Sequence, residues 1–515
     1  MKAHLLFPDR DFDLLSELPA NHEDLIQDLE LSTVLNAMAR GDSFLLDVAG
    51  RVLLTSVDDP KTIAYRQRVL ADCLAHPEVI REMYAVAIAA VKDRRTIWGG
   101  YGASYQLPSS NLSGAVSHLE AYVGRLRQLR QIADDNSDTF ESNGLRTLMS
   151  TLQRELDDEY FDVVSIHLKR LRFRAGIFIS AELGRDNGGI NFVLRESNDS
   201  RATWRERLGI GPRSSYSFTL PPRDEAGGQI LDDLAGRGIN LVANAAAQSA
   251  DHLKNYFNML RWELGFYVSC LNLWNELQER EVPVEFPEAA PLRSLAFSCR
   301  DLRDASLVLR SAGPVVGNDV QGDRRSLVIV TGANSGGKST FLRSVGLAQL
   351  MMQCGLFVTA QSYRADVVRG VFTHFIREED AAMTSGRLDE ELSRMSTVAD
   401  QIGPDCLMLF NESFAGTNER EGSEIARQVV RALLEANVKV LFVTHRFDFA
   451  ESYYDEEGTS TLFLRAERRS DGRRSFKLVV KAPLPTSFGE DLYYRVGGWL
   501  DEDRQAGAGK LAERP

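Results

Sequence analysis

A glycine-rich run, Thr331-Gly-Ala-Asn-Ser-Gly-Gly-Lys-Ser-Thr340, carries the residue types that hold phosphate. Gly332, Gly336 and Gly337 let the backbone curl until successive N–H groups point inward at an anion, which a Cβ would obstruct. Lys338 adds a mobile positive charge for β- and γ-phosphates, and the Ser339 hydroxyl suits Mg²⁺. Ala333, Asn334, Ser335 and Thr340 complete the loop, whose spacing is G-x-x-x-x-G-K-[ST]. The context agrees. Leu327-Val-Ile-Val330 reads as a buried strand, and Phe341, Leu342, Val345, Leu347 and Leu350 recur at helical spacing. A helix that starts there points its positive end at the same anion. ATP with Mg²⁺ is the ligand this arrangement implies.

Such a loop needs a metal partner and a base at the end of a neighbouring strand. Leu407-Met-Leu-Phe410 leads into Asn411-Glu412, where an acidic pair is expected. The first acid is here an amide. Asn411 can accept a hydrogen bond from a metal-bound water but lacks the full charge of an aspartate, so nucleotide binding with slow ATP hydrolysis is expected. Glu412 is the candidate base. The next buried run, Val438 to Thr444, ends at His445, placed to sense a γ-phosphate at the carboxyl end of a strand.

The elements that must position these residues follow from the rest of the chain. Its 515 residues suggest about three domains. Hydrophobic content of 43% and charged content of 26% are those of a globular protein. No apolar run is long enough for a membrane span and the N-terminus lacks a signal-peptide core, so a cytoplasmic protein is expected. The five cysteines are scattered, with no C-x-x-C pair, and read as buried small hydrophobes rather than disulfide or zinc ligands. A net charge of −13 argues against a surface that coats nucleic acid as a whole, though not against a local basic channel.

Residues 23–110 have helical periodicity. A long helix starts at Leu112 and a second runs from about Leu145 to Phe173; residues 176–183 and 190–194 flank a turn as a strand pair. Residues 197–235 read as loop, and a strong helix carrying Leu253, Phe257, Leu260 and Leu264 follows, ending at Pro283-Val-Glu-Phe-Pro287. Beyond it, strands alternate with helices and imply a mostly parallel sheet covered on both faces. The expected architecture is therefore multidomain: a mostly α-helical core and lever region, then a C-terminal α/β P-loop ATPase domain. The boundaries are 1–110 for a helical part, 111–285 for long levers with a small β insertion, 286–500 for the α/β domain, and 501–515 for a disordered tail.

Four motifs in order resemble those of the MutS family, relatives of the ABC-type ATPases. The run from Thr331 to Arg343 is similar to that family's extended P-loop, with Asn334 beside the phosphates. Asn411-Glu-Ser-Phe-Ala-Gly-Thr-Asn418 resembles its Walker B and dimer-contact loop, the latter carried by Gly416 and Thr417; Thr444-His445 resembles its switch. Upstream, Asp47 to Leu54 and Tyr65-Arg-Gln-Arg-Val-Leu70 resemble the start of its helical core. The resemblance implies a homodimer with ATP sites shared across the interface. The family's Ser-Gly-x-Ser loop is partly present as Ser385-Gly-Arg-Leu388, so Ser385 or Arg387 is the candidate to complete a site in trans. With few residues ahead of the core, the family's mismatch-reading domain with its Phe-x-Glu wedge is not expected.

The resemblance also implies a DNA clamp at the lever ends. Lys169, Arg170, Arg172 and Arg174, with Arg125, Arg127 and Arg130, are the candidate contacts, and a solvated helix face is the alternative. Two readings stand: ATP-dependent binding of structured or branched DNA, with mismatch repair as the related process, or an ATPase dimer that moves a protein partner without DNA.

Overall fold

The computed structural model describes residues 2–97, 108–174, 176–186, 188–195, 219–221, 224–377, 386–454, 460–469 and 474–485. Ser385 and the tail from 501 lie outside them. The chain forms two compact units, one of Met1–His4 with His76–Leu264 and one of Leu5–Ala75 with Gly265–Pro515. Residues 5–75 thus group with the sheet-bearing half, which boundaries at 110 and 285 do not anticipate.

Four helices open the second unit: α1 (His22–Asp28), α2 (Leu31–Ala39), α3 (Ser43–Leu54) and α4 (Pro60–Ala75). Asp42 caps α3, accepting from the Phe44 and Leu45 amides. Arg66 of α4 is fully buried and ties distant chain segments together. Its Nε donates to the Leu6 carbonyl at 2.8 Å and its Nη1 to the Cys354 carbonyl at 3.3 Å, while the guanidinium lies 4.5 Å over the Phe7 ring.

The first unit holds α5 (Pro77–Ile97), α6 (Pro108–Asp135), α7 (Asn143–Glu155), α8 (Asp158–Leu171), β1 (Phe178–Leu183) and β2 (Gly189–Arg195). The 54-residue α9 (Glu225–Gln278) belongs to it as far as Leu264. The expected strand pair is present, antiparallel, with Phe178 opposite Arg195. Two expectations need correction. The helix expected over 145–173 is broken at Asp157, whose carboxylate accepts from the Tyr160 amide and starts a new helix. The segment read as loop to 235 is helical from Glu225, because Ile230, Leu231 and Leu234 recur at helical spacing in spite of the glycines that suggested a loop.

The remaining elements of the second unit are β3 (Glu288–Ala290), β4 (Phe297–Leu302), α10 (Ala305–Arg310), β5 (Asn318–Gln321), β6 (Leu327–Gly332), α11 (Lys338–Gln353), β7 (Ser362–Asp366), β8 (Val371–Phe375), α12 (Arg387–Gln401), β9 (Leu407–Asn411), α13 (Glu419–Glu435), β10 (Lys439–Val443), α14 (Phe447–Tyr454), β11 (Thr461–Arg468) and β12 (Arg474–Val480). Six strands form one sheet in the order β12-β11-β6-β10-β9-β8. All its pairings are parallel except β11–β12. Strands β6, β8, β9 and β10 are buried along their whole length, as continuous apolar runs in a covered parallel sheet require. On one face Phe410 and Phe442 stack at 4.8 Å, and Phe449 of α14 lies 4.6 Å from Phe442.

A second sheet of four short strands, β3-β7-β4-β5, was not expected from the sequence. Buried Lys439 of β10 joins the two sheets, donating to Asp366 of β7 at 2.8 Å and to the Ala296 carbonyl at 2.9 Å. The stretch Pro283-Val-Glu-Phe-Pro287 is also pinned here, since Glu285 exchanges backbone hydrogen bonds with Val358. All five cysteines are free and buried, and burial raises each thiol pKa. Among the described residues no helix is long and apolar enough to cross a membrane.

Candidate functional site

Parallel order places the carboxyl ends of β6, β9 and β10 side by side, and each candidate residue follows one of them. Val443 of β10 lies opposite both Val330 of β6 and Asn411 of β9. The loop after β6 takes a curled path: Gly332 and Gly337 have φ of +103° and +91°, and a Cβ on Gly336 would come within 2.8 Å of the Ala333 carbonyl oxygen. Gly337 caps α11, so Lys338 and Ser339 form its first turn.

Lys338 is 4% exposed. Its ammonium donates to the Gly332 and Ala333 carbonyls at 3.2 and 3.1 Å, folded back over its own loop. Burial, opposed by the pull of Glu412 and helped by the charge of Arg474, lowers its pKa to about 8. The Asn334 Oδ1 is buried with no hydrogen-bond partner among the described residues. Ser339 donates through its hydroxyl to Asn411 Oδ1 at 2.8 Å. A hydroxyl and an amide oxygen so placed are hard neutral donors that fit Mg²⁺ or its bound water.

Glu412 faces His445 Nε2 at 2.7 Å, each side chain 30% exposed. Burial pushes the Glu412 carboxyl up, but the hydrogen bond and charge of His445, with Lys338 beyond, outweigh it and hold the group below its ordinary value. Glu412 itself has a left-handed backbone, φ +56°. Ser339 with Asn411 and Glu412 with His445 thus form two bonded pairs at adjacent strand ends, with the Lys338 charge acting on Glu412. Together these residues can hold a polyanion at the helix start and present an ionised carboxylate beside it.

The other candidates lie apart from these residues. Gly416 and Thr417 are in the loop after Glu412. A Cβ on Gly416 would meet the Leu388 amide at 2.7 Å, and the Thr417 hydroxyl donates to Glu421 at 2.6 Å. Arg387 faces Glu391 at 3.5 Å. In the helical unit, Lys169, Arg170, Arg172 and Arg174 are all exposed, and Arg172 is held by both carboxylate oxygens of Glu120. Arg127 lies 4.2 Å over Phe161, and Arg130 bonds Asp134 and the Leu156 carbonyl. The basic cluster is therefore partly engaged within the protein.

Three residues escaped the sequence reading. Arg474 of β12 donates to the Asn334 carbonyl at 3.1 Å, a contact between segments 140 positions apart that no spacing signals. Buried His374 of β8 meets Ser413 Oγ at 2.7 Å and the Glu391 carbonyl at 3.0 Å, and burial lowers its pKa to about 4. Arg446 binds the loop after Glu412. Its signal was a cation directly after His445, at a strand end otherwise buried.

Residues 58–280 match the family described as the MutS2 N-terminal domain and residues 328–493 the one described as MutS domain V. The chain is 32% identical over 167 residues to the DNA mismatch repair protein MutS of Thermotoga petrophila, covering 32% of this chain and 21% of that protein. It is 34% identical over 146 residues to the endonuclease MutS2 of Lacticaseibacillus casei, covering 28% and 19%. A third alignment, to MutS of Thermosipho melanesiensis, is 28% identical over 247 residues and covers 46% and 30%. The chain thus spans well under half the length of each relative.

Proposed function

The chain belongs to the MutS family, and from that premise we propose that it is a cytoplasmic ATP-binding protein that hydrolyses ATP slowly and uses the nucleotide to control binding of structured or branched DNA as a homodimer. The observation that carries the nucleotide half is the grouping of Lys338, Ser339, Asn411, Glu412 and His445 around adjacent strand ends. Lys338 exchanges its two loop carbonyls for phosphate oxygens, and the amides of residues 332–340 hold the same anion. Ser339 and Asn411 would hold Mg²⁺, which when bound would neutralise phosphate charge. Glu412, kept ionised and oriented by His445, accepts the proton of the attacking water.

DNA binding rests on exposed Lys169, Arg170 and Arg174. The pairing of Arg172 with Glu120 favours the second reading, in which the same dimer moves a protein partner. The exposed Gly416–Thr417 loop is the proposed dimer contact, with Ser385 and Arg387 the candidates to reach a neighbouring site.

The full chain is tested against duplex, mismatched and branched DNA, with and without ATP, over a salt series. Affinity that changes with ATP and falls steeply with salt is expected. Retention of no DNA at low salt, with ATP still bound, replaces the DNA reading by the partner reading; no ATP binding overturns both.

A further inference from the structure

The segment between Glu412 and α13 is a tight loop whose far end is tied to the helix by Asn418, which accepts from the Glu421 and Gly422 amides, and by Thr417, which donates to Glu421. Both Glu412 and Phe414 have left-handed backbones, φ +56° and +64°, conformations unfavourable for residues with a Cβ. Phe414 is buried while Ala415 and Gly416 are exposed, so the loop turns outward directly after its anchor. The carbonyls of Phe414, Thr417, Asn418 and Glu419 converge on one side chain from outside the loop. The 8%-exposed Arg446 donates through Nη1 to the carbonyls of Asn418 and Glu419 at 2.9 and 3.0 Å. Through Nη2 it donates to the Phe414 carbonyl and, at 3.2 Å, to that of Thr417. The planar fork of a guanidinium can span four carbonyls; an ammonium cannot. Gly422 in the first turn of α13 leaves room for it, since a Cβ there would lie 2.3 Å from the guanidinium carbon. The Arg446 amide also donates to Thr444 Oγ1 at 2.9 Å, which fixes the turn in which the arginine sits.

His445 holds Glu412 by its side chain, and the adjacent Arg446 holds the backbone that follows Glu412. We propose that Arg446 is a positioning residue, locking the loop of residues 414–419 so that Glu412 keeps its orientation and the loop follows any movement of the strand end at Thr444 and His445. The inference deepens the nucleotide reading above and rests on it. Glu412 needs an aligned carboxylate for proton transfer, and small misplacements of such a group cost turnover far more than binding. The Arg446 guanidinium does not contact the phosphate loop in the structure, so its loss spares ATP affinity.

The test uses the full chain with Arg446→Met, which keeps bulk without donors, Arg446→Lys, and Gly422→Ala, which displaces the guanidinium with Arg446 in place. ATP affinity is measured by equilibrium binding and turnover at saturating ATP. Arg446→Met and Gly422→Ala are expected to lower kcat about tenfold or more, with ATP Kd within about threefold of the unaltered chain; Arg446→Lys recovers part of the loss. If the variants do not fold, hydrogen exchange on the unaltered chain decides, with ATP expected to change protection at residues 414–419 together with 444–446. Unchanged kcat in folded variants, or exchange that changes at 444–446 alone, overturns the inference while leaving the nucleotide reading intact. Failure of the unaltered chain to bind ATP overturns that reading and this inference with it.

Discussion

Replacing Asn411 by aspartate restores the charge that the candidate metal position lacks. The Asn411 side-chain oxygen lies 2.8 Å from the Ser339 hydroxyl at a position 9% exposed, so a carboxylate there is largely desolvated. Two unit charges about 4 Å apart attract by roughly 4 kcal/mol at an effective dielectric near 20, and a divalent ion roughly doubles that. Removing the carboxylate from water offsets several kcal/mol of the gain. The net expectation is roughly 10- to 100-fold tighter metal binding, the range typical of supporting carboxylates. Without metal the new charge is desolvated next to Glu412 with no metal charge to balance it, so the apo protein is expected to be destabilised. The assay follows turnover across a Mg²⁺ series at saturating ATP, with thermal unfolding in chelator and in Mg²⁺. Asn411→Asp is expected to lower the half-saturating Mg²⁺ concentration, raise kcat, and reduce Tm only in chelator. Full Mg²⁺-dependent turnover in the unaltered chain that Asn411→Asp does not raise refutes the assignment of Asn411 to the metal position.

Other outcomes follow from the same geometry. Glu412→Gln is expected to keep ATP binding and lower kcat by about 10²-fold or more; equal turnover would remove Glu412 as the base. Because His445 holds the Glu412 carboxyl below its ordinary 4.5, activity and the stability of this pair should persist above that value and fall only as pH drops through the lowered pKa. His445→Ala should move that acid limb upward in the pH–rate profile. Arg66→Met leaves the Leu6 and Cys354 carbonyls without their donor and is expected to cost about 2–4 kcal/mol by denaturant unfolding; a loss under about 1 kcal/mol would show that these contacts contribute little. If the exposed pair touches DNA phosphates, Lys169→Ala with Arg170→Ala should reduce the salt slope of DNA affinity by about two. An unchanged slope would place the contacts elsewhere.

The phosphate-loop cluster was legible because its residues follow strand ends. The buried runs 327–330, 407–410 and 438–444 could only be strands of a covered sheet, and parallel order brings their carboxyl ends together. Short range hid much of the rest. Strand β3 spans three residues and β5 is Asn-Asp-Val-Gln, neither with a period to detect. Asp157 looks like any helical surface acid until its carboxylate caps the next helix. Residues 5–75 read as generic helical core because what holds them to the second unit is non-local: Arg66 reaches Cys354 across 288 positions and Asn21 reaches Val371 across 350. Arg446 stood out only as a cation directly after His445; its four acceptors are backbone atoms about 30 positions away, which no spacing signals. The expected basic face is real in position, yet no pattern of charges along one helix could show that Glu120 neutralises Arg172.

Equilibrium ATP binding across pH by the unaltered chain and by Lys338→Met tests the nucleotide site most directly. Saturable binding is expected, strongest below pH 8 and weakening as pH rises through about 8, where the buried Lys338 ammonium loses its proton in the free protein. Lys338→Met is expected to fold and to abolish this binding. No binding by the unaltered chain, or binding that Lys338→Met leaves intact, contradicts the account.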